Sequence, residues 1–322
     1  MMSILITGVA GFIGTNLAEF MLKKGNRIIG IDNLCRGSHK NLEKIINNPL
    51  FTFKKIEMTN LTEFREAIAH FYKIEYITEI WHMAANSDIP AGIQDPKIDL
   101  RDTFMTTFNT LQIMKTFGIR VMAFASSSAI YGDLGDRPLV EEIGPLLPIS
   151  NYGAMKLASE AVISAATENF LEKAYIFRFP NVIGIPATHG VILDFMKKLK
   201  NTPFELEVLG DGTQQKSYLH VEELIDAMLF IRNNSTEKLS VFNIGAGDEG
   251  VTVRFIAEET VRALASNATI SYGKGNKGWI GDVPKFTYSV KKLIDLGWEP
   301  RLGSKEAVRK AIRQIIAQET EN

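Results

Sequence analysis

A single cysteine, Cys35, stands among 322 residues. No disulfide can close within such a chain, and a reducing, cytoplasmic setting is expected. Histidine is scarce at five, with neither an H-x-x-x-H nor a C-x-x-C spacing, so no metal is expected. No run of about 18 apolar residues is present to span a membrane. The apolar opening is broken by Gly8 and Gly11 and lacks a basic lead, so it does not read as a signal peptide. An excess of one charge is missing too. The 36 Lys and Arg face 37 Asp and Glu, a formal net charge of −1. With no block of five like charges, neither nucleic acid nor an anionic membrane is expected as partner. What is there is a chain 45% hydrophobic, long enough for one large or two modest domains at about 150 residues each.

Through the first half, β-branched and aromatic runs of strand length (3–7, 27–31, 51–56, 77–81, 121–125 and 174–179) alternate with helical patterns (15–24, 40–47, 61–72, 100–117 and 151–170). The strand runs are apolar on both faces, as in a parallel sheet covered by helices on either side. This alternation predicts an α/β fold, a Rossmann-like doubly wound parallel sheet. After Pro180 the rhythm loosens into turn clusters such as Gly210-Asp211-Gly212 and Gly245-Ala246-Gly247. We therefore expect a cofactor-binding domain over 1–179, rejoined by 215–245 through a helix at 221–232 and a strand at 240–244. A smaller substrate-binding domain is expected mainly over 180–322.

Gly8-Val9-Ala10-Gly11-Phe12-Ile13-Gly14 follows the first strand and opens a helix. A diphosphate at a helix N-terminus needs exposed N–H groups and a backbone it can approach, which glycine permits. Alone, the spacing fits an ordinary tight turn. Asp32, at the end of the second strand, argues for a dinucleotide, since a carboxylate there accepts hydrogen bonds from both adenosine ribose hydroxyls. It also repels a 2′-phosphate, which favours NAD over NADP; nearby Arg36 weighs the other way.

A second constellation lies beyond the fifth strand. The segment Phe124-Ala-Ser-Ser-Ser-Ala-Ile-Tyr131-Gly132 puts hydroxyls at the sheet edge where ligands bind. Tyr152 and Lys156, at i and i+4, share one helix face. A phenol near pKa ~10 becomes a useful base at neutral pH only if lowered by about three units, roughly 4 kcal/mol. A neighbouring ammonium is a sensible source of that shift, and a serine hydroxyl opposite can share the substrate's proton.

With these motifs the chain resembles the extended short-chain dehydrogenase/reductase family, in particular its NAD-dependent nucleotide-sugar epimerases of the UDP-glucose 4-epimerase type. The likeness continues through Ile31-Asp32-Asn33-Leu34, Trp81-His82-Met83-Ala84-Ala85, Arg178-Phe-Pro-Asn181, the segment from Gly210 through Lys216 to His220, and Gly281-Asp282-Val-Pro284. The resemblance implies Ser127, Tyr152 and Lys156 as catalytic residues, with Tyr152 the base and Lys156 also holding the nicotinamide ribose. It implies NAD contacts from Gly8, Gly11, Phe12, Ile13, Gly14, Asp32, Asn33 and Ala84. Thr59 or Asn60 replaces an adenine-contacting aspartate, and Asn60 is taken as the contact. For the nucleotide sugar it implies Ser127, Ser128, Asn181, Lys216 (where an arginine is common) and Trp279, which either stacks on the ligand or packs between domains.

Dehydratases and decarboxylases that resemble the chain carry an acid two positions before the Tyr-Gly pair, where Ala129 stands here. Alanine moves no proton, so C4 epimerisation of a UDP-sugar through a 4-keto intermediate is the expectation. The alternatives are a 4-ketoreductase or C4 dehydrogenase with exchangeable NAD(P)H, and a binding protein that no longer catalyses. A helix stripe of Phe104, Phe108, Leu111 and Met114 reads as core. In the family that helix and the Tyr152 helix pair two chains, so a homodimer is expected. His82 reads as a packing residue, His189 and His220 as loop residues near the sugar, and Cys35 as an inert thiol.

Overall fold

Strand runs apolar on both faces are stable only when covered from both sides, and that requirement organises the computed structural model, which describes residues 2–135, 137–264, 267–276, 283 and 285–320. In chain order the elements are β1 (Met2–Thr7), α1 (Phe12–Lys23), β2 (Ile28–Asp32), β3 (Phe51–Lys55), α2 (Leu61–Tyr72) and β4 (Tyr76–His82). Two short helices follow, α3 (Ile89–Gln94) and α4 (Pro96–Asp99), then a π-helical turn (Leu100–Met105) running into α5 (Thr106–Phe117). β5 (Val121–Ala125), α6 (Asn151–Asn169) and β6 (Lys173–Arg178) complete this half.

The remainder comprises β7 (Asn181–Ile183), α7 (Val191–Asn201), β8 (Glu205–Val208), β9 (Gln215–Lys216), β10 (Tyr218–His220), α8 (Val221–Asn234) and β11 (Leu239–Asn243). It continues with β12 (Val251–Thr252), α9 (Val253–Ala263), β13 (Thr269–Tyr272), α10 (Lys291–Leu296) and α11 (Ser304–Thr320).

The seven-stranded parallel sheet runs β11-β6-β5-β4-β1-β2-β3. Its order reverses between β1 and β4, the crevice where open α/β sheets bind ligands. Register puts the strand ends level: Thr7 pairs with Ile31 and His82, His82 with Phe124, and Phe124 with Ile176. The glycine loop, Asp32, Ala84, the serine segment and Arg178 thus emerge at one carboxyl edge. Beneath that edge lies a core including Leu5, Ile29, Phe64, Ile80, Met122 and Ile176.

Two compact units divide the chain. The first is Met1–Gly132, Leu146–Arg178 and Met228–Phe242, and the second is Asp133–Pro145, Phe179–Ala227 and Asn243–Asn322. The division differs from the sequence-based one in two places. Segment 133–145 joins the second unit because Asn243 donates from Nδ2 to the Leu139 carbonyl and Leu139 bridges to Tyr288. Of 215–245, only the last turns of α8 and most of β11 join the first. Among its described residues the second unit holds three two-stranded sheets, β10-β7, β12-β9 and β13-β8. Helices α7, α9 and α11 cover its core of Ile192, Phe195, Ile256, Val308 and Ile312.

Two predicted helices also differ. Segment 40–47 forms only a 3₁₀ turn at His39–Leu42. Segment 100–117 starts as the π turn before becoming α5, and Thr106 and Thr107 return their hydroxyls to the Asp102 and Thr103 carbonyls of that turn. The aromatic stripe divides accordingly. Leu111 and Met114 are core, whereas Phe104 and Phe108 stack on each other with Phe108 exposed. No helix among the described residues is long and apolar enough to cross a membrane.

Candidate active site

The glycine loop has a different reason for each glycine. Gly8 has φ +65°, and a Cβ there would lie 2.7 Å from the Ala84 backbone. At Gly14 a Cβ would run into the Gly8 carbonyl and stand 2.9 Å from the Val9 Cα, so α1 and the loop could not close. Gly11 is different: among the described residues the one atom a Cβ would meet within 4 Å is the Gly8 oxygen, at 3.2 Å. Gly11 is also the N-cap of α1 with no side-chain cap bond, so the N–H groups of the first turn, at Phe12 and Ile13, receive no capping side chain. A helix start with this geometry suits a diphosphate.

Asp32 is buried and divides its oxygens between two backbone donors, Ala10 N–H to Oδ2 at 3.0 Å and Leu34 N–H to Oδ1 at 2.7 Å. Burial raises its pKa and those two bonds lower it. Each oxygen accepts one bond here, which leaves acceptor capacity for a ribose diol. The same carboxylate that would read the ribose therefore also fixes the glycine loop. By this chemistry the site fits NAD. Arg36 is occupied, donating from Nη1 to Asp88 Oδ2 at 2.9 Å. Asn33 donates to Glu57 at 2.9 Å and accepts from Cys35 N–H at 3.0 Å. The Cys35 thiol is pushed up by burial and by its acidic neighbour Asp102, which suits an inert thiol.

On the same edge, the Ser127 hydroxyl lies close enough to the Tyr152 phenol to favour its ionised form. Gly153 makes this approach possible, since a Cβ there would overlap the Ala129 carbonyl oxygen. Lys156 is buried; its ammonium donates to the Ala125 carbonyl at 2.5 Å and lies 4.7 Å from the Phe124 ring centroid and 5.8 Å from that of Tyr152. Burial lowers the lysine to about 7, opposed by the carboxylates of Glu160 and Asp99. The expected depression of the phenol is not what the protein alone produces. Burial pushes Tyr152 up to about 12, Asp99 adds to the rise, and the Ser127 hydroxyl pulls the other way. His82 lies beneath, hydrogen-bonded to Thr7 at 2.8 Å and Thr107 at 3.1 Å and stacked on Phe124. Burial holds it neutral with a pKa of about 3, which makes it a packing residue.

Comparison with known proteins agrees with this geometry. The family described as "NAD dependent epimerase/dehydratase family" matches residues 4–245. The chain belongs to that family. A UDP-glucuronate 4-epimerase of Thermodesulfobacterium geofontis is 26% identical over 314 residues, 96% of this chain and 94% of that one. A crystal structure of UDP-galactose 4-epimerase is 31% identical, covers 99% of both chains and has a TM-score of 0.85. A Thermus thermophilus UDP-glucose 4-epimerase solved with NAD is 26% identical, covers 98% of this chain and 99% of its own, and has a TM-score of 0.84.

Family membership makes NAD the cofactor, and the remaining sequence-selected residues find definite places. Ala84 N–H donates to Thr7 Oγ1 at 3.3 Å beside Gly8. Asn60 has a structural task that the sequence reading did not assign: it is the N-cap of α2, accepting Glu63 N–H at 3.3 Å. Ser128 opens a half-exposed 3₁₀ turn. In the second unit Asn181 heads β7 and donates to the Ser217 carbonyl at 3.4 Å, and Lys216 lies on β9. His220 is buried there, bonded to Gln314 at 2.8 Å, whereas His189 is exposed and bonded to Thr188 at 2.9 Å. Trp279, with Gly281, Asp282 and Pro284, lies outside the described residues.

Sequence reasoning missed two neighbours of the catalytic pair. Asp99 is buried with Oδ1 accepting from Asn86 at 2.8 Å and Oδ2 without a partner among the described residues. Glu160 and Arg178 form a buried ion pair at 2.7 Å. The i+4 step from Lys156 to Glu160 was the available signal for the second.

Proposed function

We propose that this chain is an NAD-dependent UDP-sugar 4-epimerase, an isomerase that interconverts the two configurations at C4 of the sugar. The observation that carries the reading is Tyr152 with the Lys156 ammonium 5.8 Å from its ring and the Ser127 hydroxyl close by, at the same sheet edge as the Gly8–Gly14 loop. The relatives' names support a UDP-sugar, and the absence of a carboxyl at Ser128-Ala129 supports epimerisation over elimination. Gly11, Phe12 and Ile13 would hold the diphosphate of NAD and Asp32 its adenosine ribose; Asn33 and Ala84 line the same edge. Bound NAD⁺ supplies the hydride acceptor and a positively charged ring.

Tyr152 takes the proton of the C4 hydroxyl, with Ser127 orienting that hydroxyl and sharing its proton on the way to the phenolate. Lys156, as ammonium, favours the phenolate. On the return half Tyr152 gives the proton back to the C4 oxygen, so the chain ends in its starting protonation state. Ser128 lies beside Ser127, and Asn181 and Lys216 serve the nucleotide sugar. Lysine there acts as a point charge on the diphosphate in place of a bidentate fork.

A homodimer paired through α5 and α6 belongs to the same reading, supported by Leu100 and Phe108, 48% and 40% exposed. A cytoplasmic setting also belongs to it, supported by the lone Cys35. The deciding experiment offers purified protein a panel of UDP-sugars without added cofactor. Isomers should interconvert from either side, and Tyr152→Phe should lower kcat by about 10²–10⁴-fold. Near-wild-type turnover in that variant, or an absolute need for added NAD(P)H, would overturn the proposal.

A further inference from the structure

The serine segment is gripped at both ends by one buried ion pair that the reaction itself does not use. Glu160 and Arg178 are each 6% exposed. Arg178 donates from Nε to Glu160 Oε1 at 3.0 Å and from Nη2 to Oε2 at 2.7 Å, a two-pronged contact. Ser126, immediately before Ser127, donates its hydroxyl to Glu160 Oε1. At the far end, Arg178 Nη1 donates to the Tyr131 hydroxyl at 3.0 Å, and the guanidinium carbon lies 5.2 Å from the Tyr131 ring centroid. Ser126 N–H also donates to the Phe177 carbonyl at 2.8 Å. Between these anchors stand Ser127, Ser128 and Ala129. Glu160 itself lies on α6, two turns beyond Tyr152 and one beyond Lys156.

We infer that Glu160 and Arg178 are positioning residues: their ion pair clamps Ser126 and Tyr131 to α6 and so sets the Ser127 hydroxyl against the Tyr152 phenol. The inference rests on the roles given to Ser127 and Tyr152 above. Stability alone is a poor reason for the pair, because apolar residues of similar volume commonly serve a core as well or better. A fork that contacts both ends of one loop does what apolar residues cannot, which is to fix direction. Proton transfer needs that direction, and a misplacement of about 1 Å costs on the order of 10²-fold in rate.

Glu160→Gln keeps the shape but turns one acceptor into a donor facing Arg178. It should lower kcat by about 10²-fold while KM stays within about threefold, the pattern of an interaction lost mainly in the transition state. Bound NAD per chain should be unchanged. In case that variant does not fold, Ser126→Ala and Tyr131→Phe remove one anchor each without stranding a charge. The double variant should lose kcat well beyond either single one, again at nearly constant KM. Folded variants that retain wild-type kcat, or that lose kcat only in step with bound NAD, would overturn the clamp. Tyr152→Phe measured alongside separates the two readings. If it is inactive while Glu160→Gln and the double variant are fully active, the clamp alone fails; if it is active, the assignment of the base fails and the clamp with it.

Discussion

Substituting alanine at Gly11 and at Gly14 separates a phosphate cradle from an ordinary tight turn. At Gly11 the backbone is extended, with φ −80° and ψ 171°, which alanine adopts freely. Among the described residues a new methyl would touch only the Gly8 oxygen, at 3.2 Å. Losing the favoured N-cap residue costs about 0.5–1 kcal/mol, and the smaller unfolded-state entropy of alanine returns about 0.4–1 kcal/mol. The ligand-free protein should therefore melt within a degree or two of wild type. The methyl does, however, occupy the open side of the helix start, where a diphosphate must come within hydrogen-bond reach of the Phe12 and Ile13 N–H groups. A hundredfold loss of NAD affinity, about 2.7 kcal/mol, is expected. At a concentration 100 times the wild-type Kd, NAD stabilises wild type by about 2.7 kcal/mol and the variant by only about 0.4 kcal/mol. Gly14→Ala should behave oppositely. Its Cβ meets backbone at Gly8 and Val9, so the fold itself should lose about 1–3 kcal/mol even without ligand. Thermal melts of cofactor-stripped protein with and without NAD read both effects. A Gly11→Ala protein that keeps its full NAD-induced rise in Tm would refute the cradle.

Further predictions concern charge. Asp88→Asn keeps the oxygen that caps α3 through Ala91 N–H but frees Arg36, so NADP should bind up to about fivefold tighter with NAD unaffected, as titration of each cofactor would show; equal shifts for both would refute it. For Lys156 the sign follows from its lowered pKa. Between about 7 and its ordinary 10.5 the unfolded chain holds a proton that the folded chain does not, so wild-type stability gains from this group as pH rises through that window. Lys156→Met should accordingly stabilise the ligand-free protein most below pH 7, with the advantage shrinking towards pH 10. Denaturant melts at pH 6 and 9.5 test this, and an advantage that grows with pH would contradict it. The same substitution removes the ammonium beside the phenol and should lower kcat by about 10²-fold or more at pH 6, where Lys156 is charged, and by less at pH 9.5.

The parts of this protein that a linear reading reaches are those whose cause is local. Apolar runs without alternation required a sheet covered on both faces, and β1 through β6 follow them closely. Gly8, Gly11 and Gly14 lie a few residues apart, as do Tyr152 and Lys156, so a turn and a helical repeat are enough to bring each set together. Helix 100–117 was legible in extent but not in form, because an apolar pattern marks a helix face without distinguishing a π turn from an α turn. Asn60 carries a task that its spacing did not announce: its side-chain oxygen caps α2.

Tertiary structure alone decided the contacts between distant segments. Asp32 reaches Ala10 across 22 residues, Glu160 reaches Arg178 and Ser126, and Arg36 is tied to Asp88. The sign of the Tyr152 shift was decided there too, because an ammonium at i+4 says nothing of how deeply the phenol is buried. Composition and spacing determine which chemistry the chain carries, through forces that act over a turn or a strand. Packing determines how far each group is desolvated and what it faces, since both depend on residues that only the folded chain brings near.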